Sequence, residues 1–171
     1  MHEKQNQQEI ERKFLPKMGE LPFELNEGEG VLCERYCLYA NEGEELRVQR
    51  KGGVCELECK FEEGALVRSG LKVEISERMF EELSKKTVGS RVVYEKFKTP
   101  FAGVFVKRYR ENFEGLVLVE VEFERLEDEK GFVAEAWMGA DVSEMEFCRD
   151  AGLAKFGSFE ELREAFADLF C

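Results

Sequence analysis

Apolar and polar positions alternate with a period of two through most of the chain, the pattern of half-buried β-strands. It predicts strands over residues 9–15, 45–51, 54–61, 71–75, 91–97, 104–109 and 116–125. Lys51-Gly52-Gly53 joins two of these with residues that tolerate positive φ, so residues 45–61 are predicted to form a tight antiparallel hairpin. Helical spacing is rarer. Ser76 is placed to cap a short helix that carries Met79, Phe80 and Leu83 on one side, with Gly89 just beyond its end. Ser158-Phe159-Glu160-Glu161 is a capping box, and Leu162, Ala165, Phe166 and Leu169 form the apolar stripe that follows. Residues 143–153 carry only a weak helical period, that of a short turn.

There is no internal repeat and no low-complexity block, and the three prolines mark no linker, so residues 1–171 read as a single domain. With 43% hydrophobic residues the chain can bury a core of its own. Its net charge is −12, which argues against nucleic acid polymers and anionic membranes as partners. Any polyanion must therefore meet a local basic cluster. No window approaches the roughly 18 apolar residues of a membrane span, and residues 1–8 are polar rather than an apolar signal. The expected location is the cytoplasm.

Six cysteines, Cys33, Cys37, Cys55, Cys59, Cys148 and Cys171, include two C-x3-C pairs. Four such sulfurs are compatible with structural zinc. Cys55 and Cys59, however, alternate with Leu57 and Phe61 as one apolar strand face does, which favours buried free thiols. The lone histidine, His2, lies in the polar N-terminus and is no catalytic base.

The chemistry sits in charged rows. On a strand, Glu9, Glu11 and Lys13 share one face, while Ile10, Phe14 and the stem of Arg12 share the other. A single row of this kind reads first as the solvated face of an amphipathic strand, but the pattern recurs: Glu120, Glu122 and Glu124 lie opposite Val117, Val119, Val121 and Phe123. Carboxylates two residues apart on a strand stand about 7 Å from each other and repel unless solvent or a cation intervenes. Two facing rows would form an all-oxygen site suited to Mg²⁺ or Mn²⁺. Basic side chains occupy other strands: Arg47, Lys60, Arg68 and Lys96, with Arg50, Lys72 and Lys107 nearby. If the sheet closes with its charged faces inward, the lumen holds metal on the acidic side and a polyanion on the basic side. The apolar faces then pack outward against the two helices.

Glu9-Ile10-Glu11-Arg12-Lys13 is an E-x-E-x-K signature. It is followed in order by Glu45-Leu46-Arg47-Val48, Glu56-Leu57-Glu58-Cys59-Lys60, Val119-Glu120-Val121-Glu122-Phe123, Trp137-Met138-Gly139-Ala140-Asp141-Val142-Ser143 and Gly152-Leu153-Ala154. This ordered set, spanning nearly the whole chain, resembles the CYTH family of triphosphate tunnel metalloenzymes, which includes inorganic triphosphatases, thiamine triphosphatases and class IV adenylyl cyclases. The resemblance implies an α+β fold, an eight-stranded antiparallel β-barrel tunnel with flanking helices. It also implies a metal-dependent hydrolase of small triphosphate-containing molecules, with Mg²⁺ or Mn²⁺ as cofactor. Carried over by position, Glu9, Glu11, Glu120 and Glu122 are the metal-binding and catalytic acids, and Lys13, Arg47, Lys60, Arg68 and Lys96 hold phosphates. Asp141 falls on an acidic position of the family's tryptophan-containing segment, with Ala140 where its acidic partner stands.

The departures concern the same tunnel. Gln49 stands where a second Arg is common, Gly70 and Lys72 where glutamates alternate, Phe105 and Lys107 where an acidic pair is usual, and Tyr94 where Lys is frequent. Inorganic triphosphate is the favoured substrate, because a thiamine or nucleoside triphosphate needs a ring-binding surface, for which Trp137, Tyr94 and Phe101 are the available aromatics. An adenylyl cyclase is disfavoured, since no nucleotide-selecting motif precedes Glu9. The competing reading is a non-catalytic module that binds polyphosphate or nucleotide in the same tunnel. A homodimer accords with base rates.

Overall fold

The computed structural model describes residues 7–17, 19–64 and 66–170, so His2 and Cys171 lie outside the described residues. In chain order the elements are β1 (Gln7–Leu15), β2 (Val31–Asn41), β3 (Glu44–Lys51), β4 (Val54–Glu62), β5 (Val67–Glu74), α1 (Glu77–Ser84), β6 (Val92–Lys98), β7 (Val104–Tyr109), β8 (Val117–Phe123), α2 (Leu126–Lys130), β9 (Ala140–Asp141), α3 (Asp150–Leu153) and α4 (Phe159–Ala165).

Strands whose alternate faces are charged and apolar can keep both faces satisfied by closing on themselves, and the sheet does so. The antiparallel order β5-β4-β3-β2-β6-β7-β8-β1 is closed by a pairing of β1 with β5, which makes an eight-stranded barrel. β1 is the seam. Glu9 and Ile10 pair with Arg68 and Val67 of β5, residues 10–14 pair with β8, and Phe14 and Leu15 take the two-residue β9. β3 and β4 form the predicted hairpin, turning at Gly52 and Gly53 with φ of +55° and +89°. β2 is absent from the alternation pattern because both of its faces mix apolar and polar residues, and its register shifts between Cys37 and Tyr39.

The outer faces are covered in two places. On β1, β7 and β8, Phe14, Val106, Val119 and Val121 pack with Met138 beneath Phe23, Leu25, Phe132 and Trp137. On β2 to β4, Tyr36, Val48 and Leu57 meet Phe80 and Leu83 of α1, whose first turn is capped by Ser76 Oγ accepting from the Met79 N–H at 3.2 Å. The expectation that both helices cover outer faces holds for α1 only. α4 has the predicted cap, with Ser158 Oγ accepting from the Glu161 N–H at 3.2 Å, but its Leu162 joins Tyr94, Tyr109, Leu118, Phe147 and Leu153 in a cluster inside one end of the barrel. The cause is the composition of that end: Val92, Tyr94, Tyr109 and Leu118 point inward there, and apolar side chains facing a wet lumen would be unfavourable. The C-terminal segment plugs it.

The cysteines are free thiols among the described residues. By strand alternation Cys33 and Cys37 face inward on β2, while Cys55 and Cys59 face outward on β4, so the four sulfurs do not converge. No helix among the described residues is long and apolar enough to cross a membrane.

Candidate functional site

Closure gathers the inner faces of seven of the barrel strands, all but β4, around a cavity of about 360 Å³. β1 contributes Glu9, Glu11 and Lys13, β3 Arg47, β5 Arg68, β6 Lys96, and β8 Glu120 and Glu122, so all but one of the site residues read from the sequence line it together. The exception is Lys60. It shares the inner face of β4 with Glu58 but is covered, 1% exposed, with Nζ 2.6 Å from Glu9 and 3.2 Å from Glu58. Gly70 is its register partner, and a Cβ there would come within 2.9 Å of Lys60 Cδ, so the missing side chain at position 70 makes room for the lysine stem.

On the acidic side, Glu11 directly opposes Glu122 across the β1–β8 ladder, and Lys13 opposes Glu120. Lys13 Nζ sits 3.0 Å from Glu11 and donates to the Cys148 carbonyl at 2.7 Å, and Lys96 Nζ is 2.7 Å from Glu122. Glu120 is the most enclosed, with Lys107 at 2.5 Å, Lys96 at 3.1 Å and Lys13 at 3.6 Å. Burial alone would raise its pKa, but these three ammonium groups outweigh burial and hold it well below the carboxylate range. Burial likewise works against the charged forms of Lys13 and Lys107, and the neighbouring carboxylates more than compensate, raising both.

Among the described residues no three acidic, Cys or His side chains already form a cation cage. The donor chemistry at Glu9, Glu11 and Glu122 nonetheless fits a hard divalent cation. All three offer carboxylate oxygens to the cavity, with 36%, 18% and 46% of the side chain exposed, and each has a single lysine contact.

The basic side centres on residues that the sequence reading missed. Arg35 of β2 donates from Nε to Gln49 at 2.8 Å and pairs closely with Asp150, the first residue of α3. Arg47 meets the same carboxylate at 3.3 Å, Glu58 at 2.5 Å and Glu45 at 3.1 Å, and Arg68 holds Glu45 at 2.9 Å. Position 49 therefore lacks a guanidinium because the neighbouring strand supplies one. Arg50, beside it in sequence, faces outward to Glu34 and lies 4.5 Å from the Phe80 ring. Burial opposes ionisation of Asp150 and Glu58, yet Arg35, Arg47 and the nearby lysines keep both carboxyls far below their usual range. Lys51 also lines the cavity, and burial together with Lys96, Lys72 and Arg35 pushes its pKa down.

The aromatics divide. Tyr94 faces the cavity and is buried, its ring 5.2 Å from Arg35 and 4.6 Å from Lys107. Trp137 and Phe101 stack on each other with centroids 5.8 Å apart, Phe23 packs edge-on to Trp137, and none of the three lines the cavity. Asp141 is also outside. It pairs with Arg12 and accepts from the Ser143 N–H at 3.0 Å, which fastens β9 to β1. Among the described residues, nine lysines and arginines and five carboxylates line the cavity, a positive interior in an acidic protein.

No protein-family model matches the sequence, and no curated protein matches it. Among solved structures, the inorganic triphosphatase NE1496 is similar with a TM-score of 0.63 at 25% identity, over 88% of this chain and 96% of that one. A second structure of NE1496 gives 0.62 at 26% identity, over 86% and 98%. A conserved hypothetical protein from Pyrococcus furiosus shares the fold with a TM-score of 0.51 at 16% identity, over 71% and 82%.

Two stability measurements test this arrangement. Asp150→Ala takes the carboxylate partner from Arg35 and one of three from Arg47, and is expected to cost about 3 kcal/mol in urea unfolding, whereas Asp141→Ala on the outer wall costs under about 1 kcal/mol. Equal costs would contradict the assignment. Because Glu9, Glu45, Glu58, Glu120 and Asp150 all have native pKa values below their unfolded ones, their contribution is complete above the unfolded range and lost as pH falls through the native values. Unfolding free energy should therefore hold between about pH 6 and 8 and decline below about pH 4.5; an unchanged value at pH 3 would refute the pairing.

Proposed function

We propose that this chain, a CYTH domain by its tunnel fold and its ordered motifs, hydrolyses a phosphoanhydride bond of a small triphosphate, with inorganic triphosphate as the preferred substrate and Mg²⁺ or Mn²⁺ as cofactor. One observation carries this reading: a closed β-barrel of an acidic protein concentrates nine cationic side chains against five carboxylates around one small cavity. The similarity to the inorganic triphosphatase NE1496 over most of both chains supports it. Trp137 and Phe101 stay off the cavity lining, and Tyr94, which is on it, is buried with Arg35 and Lys107 against its ring; this favours a bare triphosphate over one carrying a ring.

Phosphoryl transfer asks a protein for positioning and charge stabilisation rather than for a covalent partner. Lys13, Arg47, Arg68 and Lys96 reach the cavity from four different strands and would surround the phosphate oxygens, with the guanidinium groups able to bind two oxygens at once. Their carboxylate partners hold them in place beforehand, so little reorganisation remains for the moment of reaction. Lys60, covered on the inner face of β4, would act on Glu9 and fix its orientation. Glu9, Glu11 and Glu122 would hold the divalent cation, which supplies charge neutralisation at the phosphate oxygens when bound. Closure of the far end by the Phe147 and Leu162 cluster limits water to the cavity itself.

The test is phosphate release from inorganic triphosphate with Mg²⁺, with Mn²⁺ and with chelator. Turnover is expected only with metal, and Glu11→Gln or Lys96→Met should lower kcat by about 100-fold or more. Turnover in chelator, or variants as active as the parent, would refute the mechanism. Thermal stabilisation by triphosphate without any turnover would instead establish a binding module.

A further inference from the structure

The lysine at position 107 has no role in the chemistry set out above, yet it is one of the most constrained side chains in the cavity. Resting on the triphosphatase reading, we propose that the Lys107 ammonium is a built-in substitute for a second divalent cation, so that the tunnel binds one metal ion and neutralises the far phosphoryl oxygens with fixed lysines.

Glu120 is 2% exposed, and both of its oxygens are taken: Oε1 by Lys107 at 2.5 Å and Lys13 at 3.6 Å, Oε2 by Lys96 at 3.1 Å. A divalent ion on this carboxylate would stand against three ammonium groups: Lys13 and Lys96 are shared with Glu11 and Glu122, while Lys107 pairs with Glu120. Charge repulsion in a partly dry cavity disfavours that arrangement strongly. Lys107 has little room to withdraw, since its Nζ also lies against the Tyr94 ring at 4.6 Å and its side chain is buried.

The neighbouring strands give the same result. β7 offers the cavity no carboxylate, because Phe105 and Lys107 occupy its inward positions, and the Phe105 ring lies 4.4 Å from Lys96 Nζ. Lys96 and Lys107 are direct register partners on β6 and β7, so two ammonium groups stand side by side. A triphosphate, with several charges along its length, can meet both ammonium groups while Lys107 stays against Glu120. The remaining acids, Glu9, Glu11 and Glu122, each with one lysine contact, are the donors for one ion. In two-metal sites a second ion neutralises the opposite side of the transferring group, and here an ammonium already stands there.

The decisive measurement is the number of Mn²⁺ ions bound per chain, counted by electron paramagnetic resonance of free Mn²⁺, with an imido-bridged, non-hydrolysable analogue of inorganic triphosphate at saturation. One ion per parent chain is expected, and two would overturn the assignment while leaving the hydrolase reading intact. If the parent does not bind the analogue with or without Mn²⁺, the triphosphatase reading itself falls. Lys107→Glu, which places a second carboxylate beside Glu120, is expected to raise the count to two, and a folded variant that still binds one ion would overturn the proposal. Lys107→Met should weaken analogue binding in chelator about tenfold or more, as loss of a charge-assisted contact predicts, and unchanged affinity would also overturn it.

Discussion

A charge inside a closed sheet has to be paired, and that requirement governs this molecule. Removing a carboxylate or ammonium from water costs several kcal/mol unless an opposite charge meets it in good geometry. Yet Lys13, Glu45, Arg47, Glu58, Lys60, Lys107, Glu120 and Asp150 are all buried. They are tolerable because the barrel presents them to one another: Arg47 to Glu58, Lys60 to Glu9, Lys107 to Glu120, Arg35 to Asp150. Slipping any strand by one residue would turn these side chains outward and bring Val48, Val106 or Val119 into the lumen. The charge lattice and the outer apolar layers therefore specify the same register from opposite faces.

The same lattice gives the cavity its chemistry. Cations paired with protein carboxylates in the free state can exchange those partners for phosphate oxygens, and their number exceeds that of the acids lining the cavity. Lys51 contributes to the excess, and its pKa is lowered first by burial and then by Lys96, Lys72 and Arg35 around it. Binding energy then comes from charges already held in position rather than from side chains that must be ordered on arrival.

Much of this was legible in the sequence, for a simple reason. Strand parity alone places Glu9, Glu11 and Lys13 together and sets Glu120 and Glu122 on the inner face of their strand, because side-chain direction alternates without exception along an unbulged strand. Arg35 was hidden because both faces of its strand mix apolar and polar residues, Val31, Cys33, Arg35 and Cys37 on one and Leu32, Glu34, Tyr36 and Leu38 on the other, so no alternation shows. Asp150 was hidden for a different reason: it comes from a short helical turn, and its partner Arg35 lies 115 residues away. Gly70 and Gln49 look like losses in the sequence. In the fold, one admits the stem of Lys60 and the other receives a hydrogen bond from Arg35. The end plug was also unreadable, since the stripe of α4 fits the inside of a barrel end as well as it fits the outside of a wall.

The central claim is that this paired lattice is preformed to accept a linear triphosphate. The most direct measurement is the melting temperature with inorganic triphosphate, beside orthophosphate at the same concentration, both with Mg²⁺. At a concentration about 100 times Kd, linkage predicts about 2.7 kcal/mol of stabilisation, which for a chain of this size is a rise of about 5–10 °C. Orthophosphate should produce little change. An unmoved melting temperature with triphosphate, or an equal shift with orthophosphate, would contradict the account.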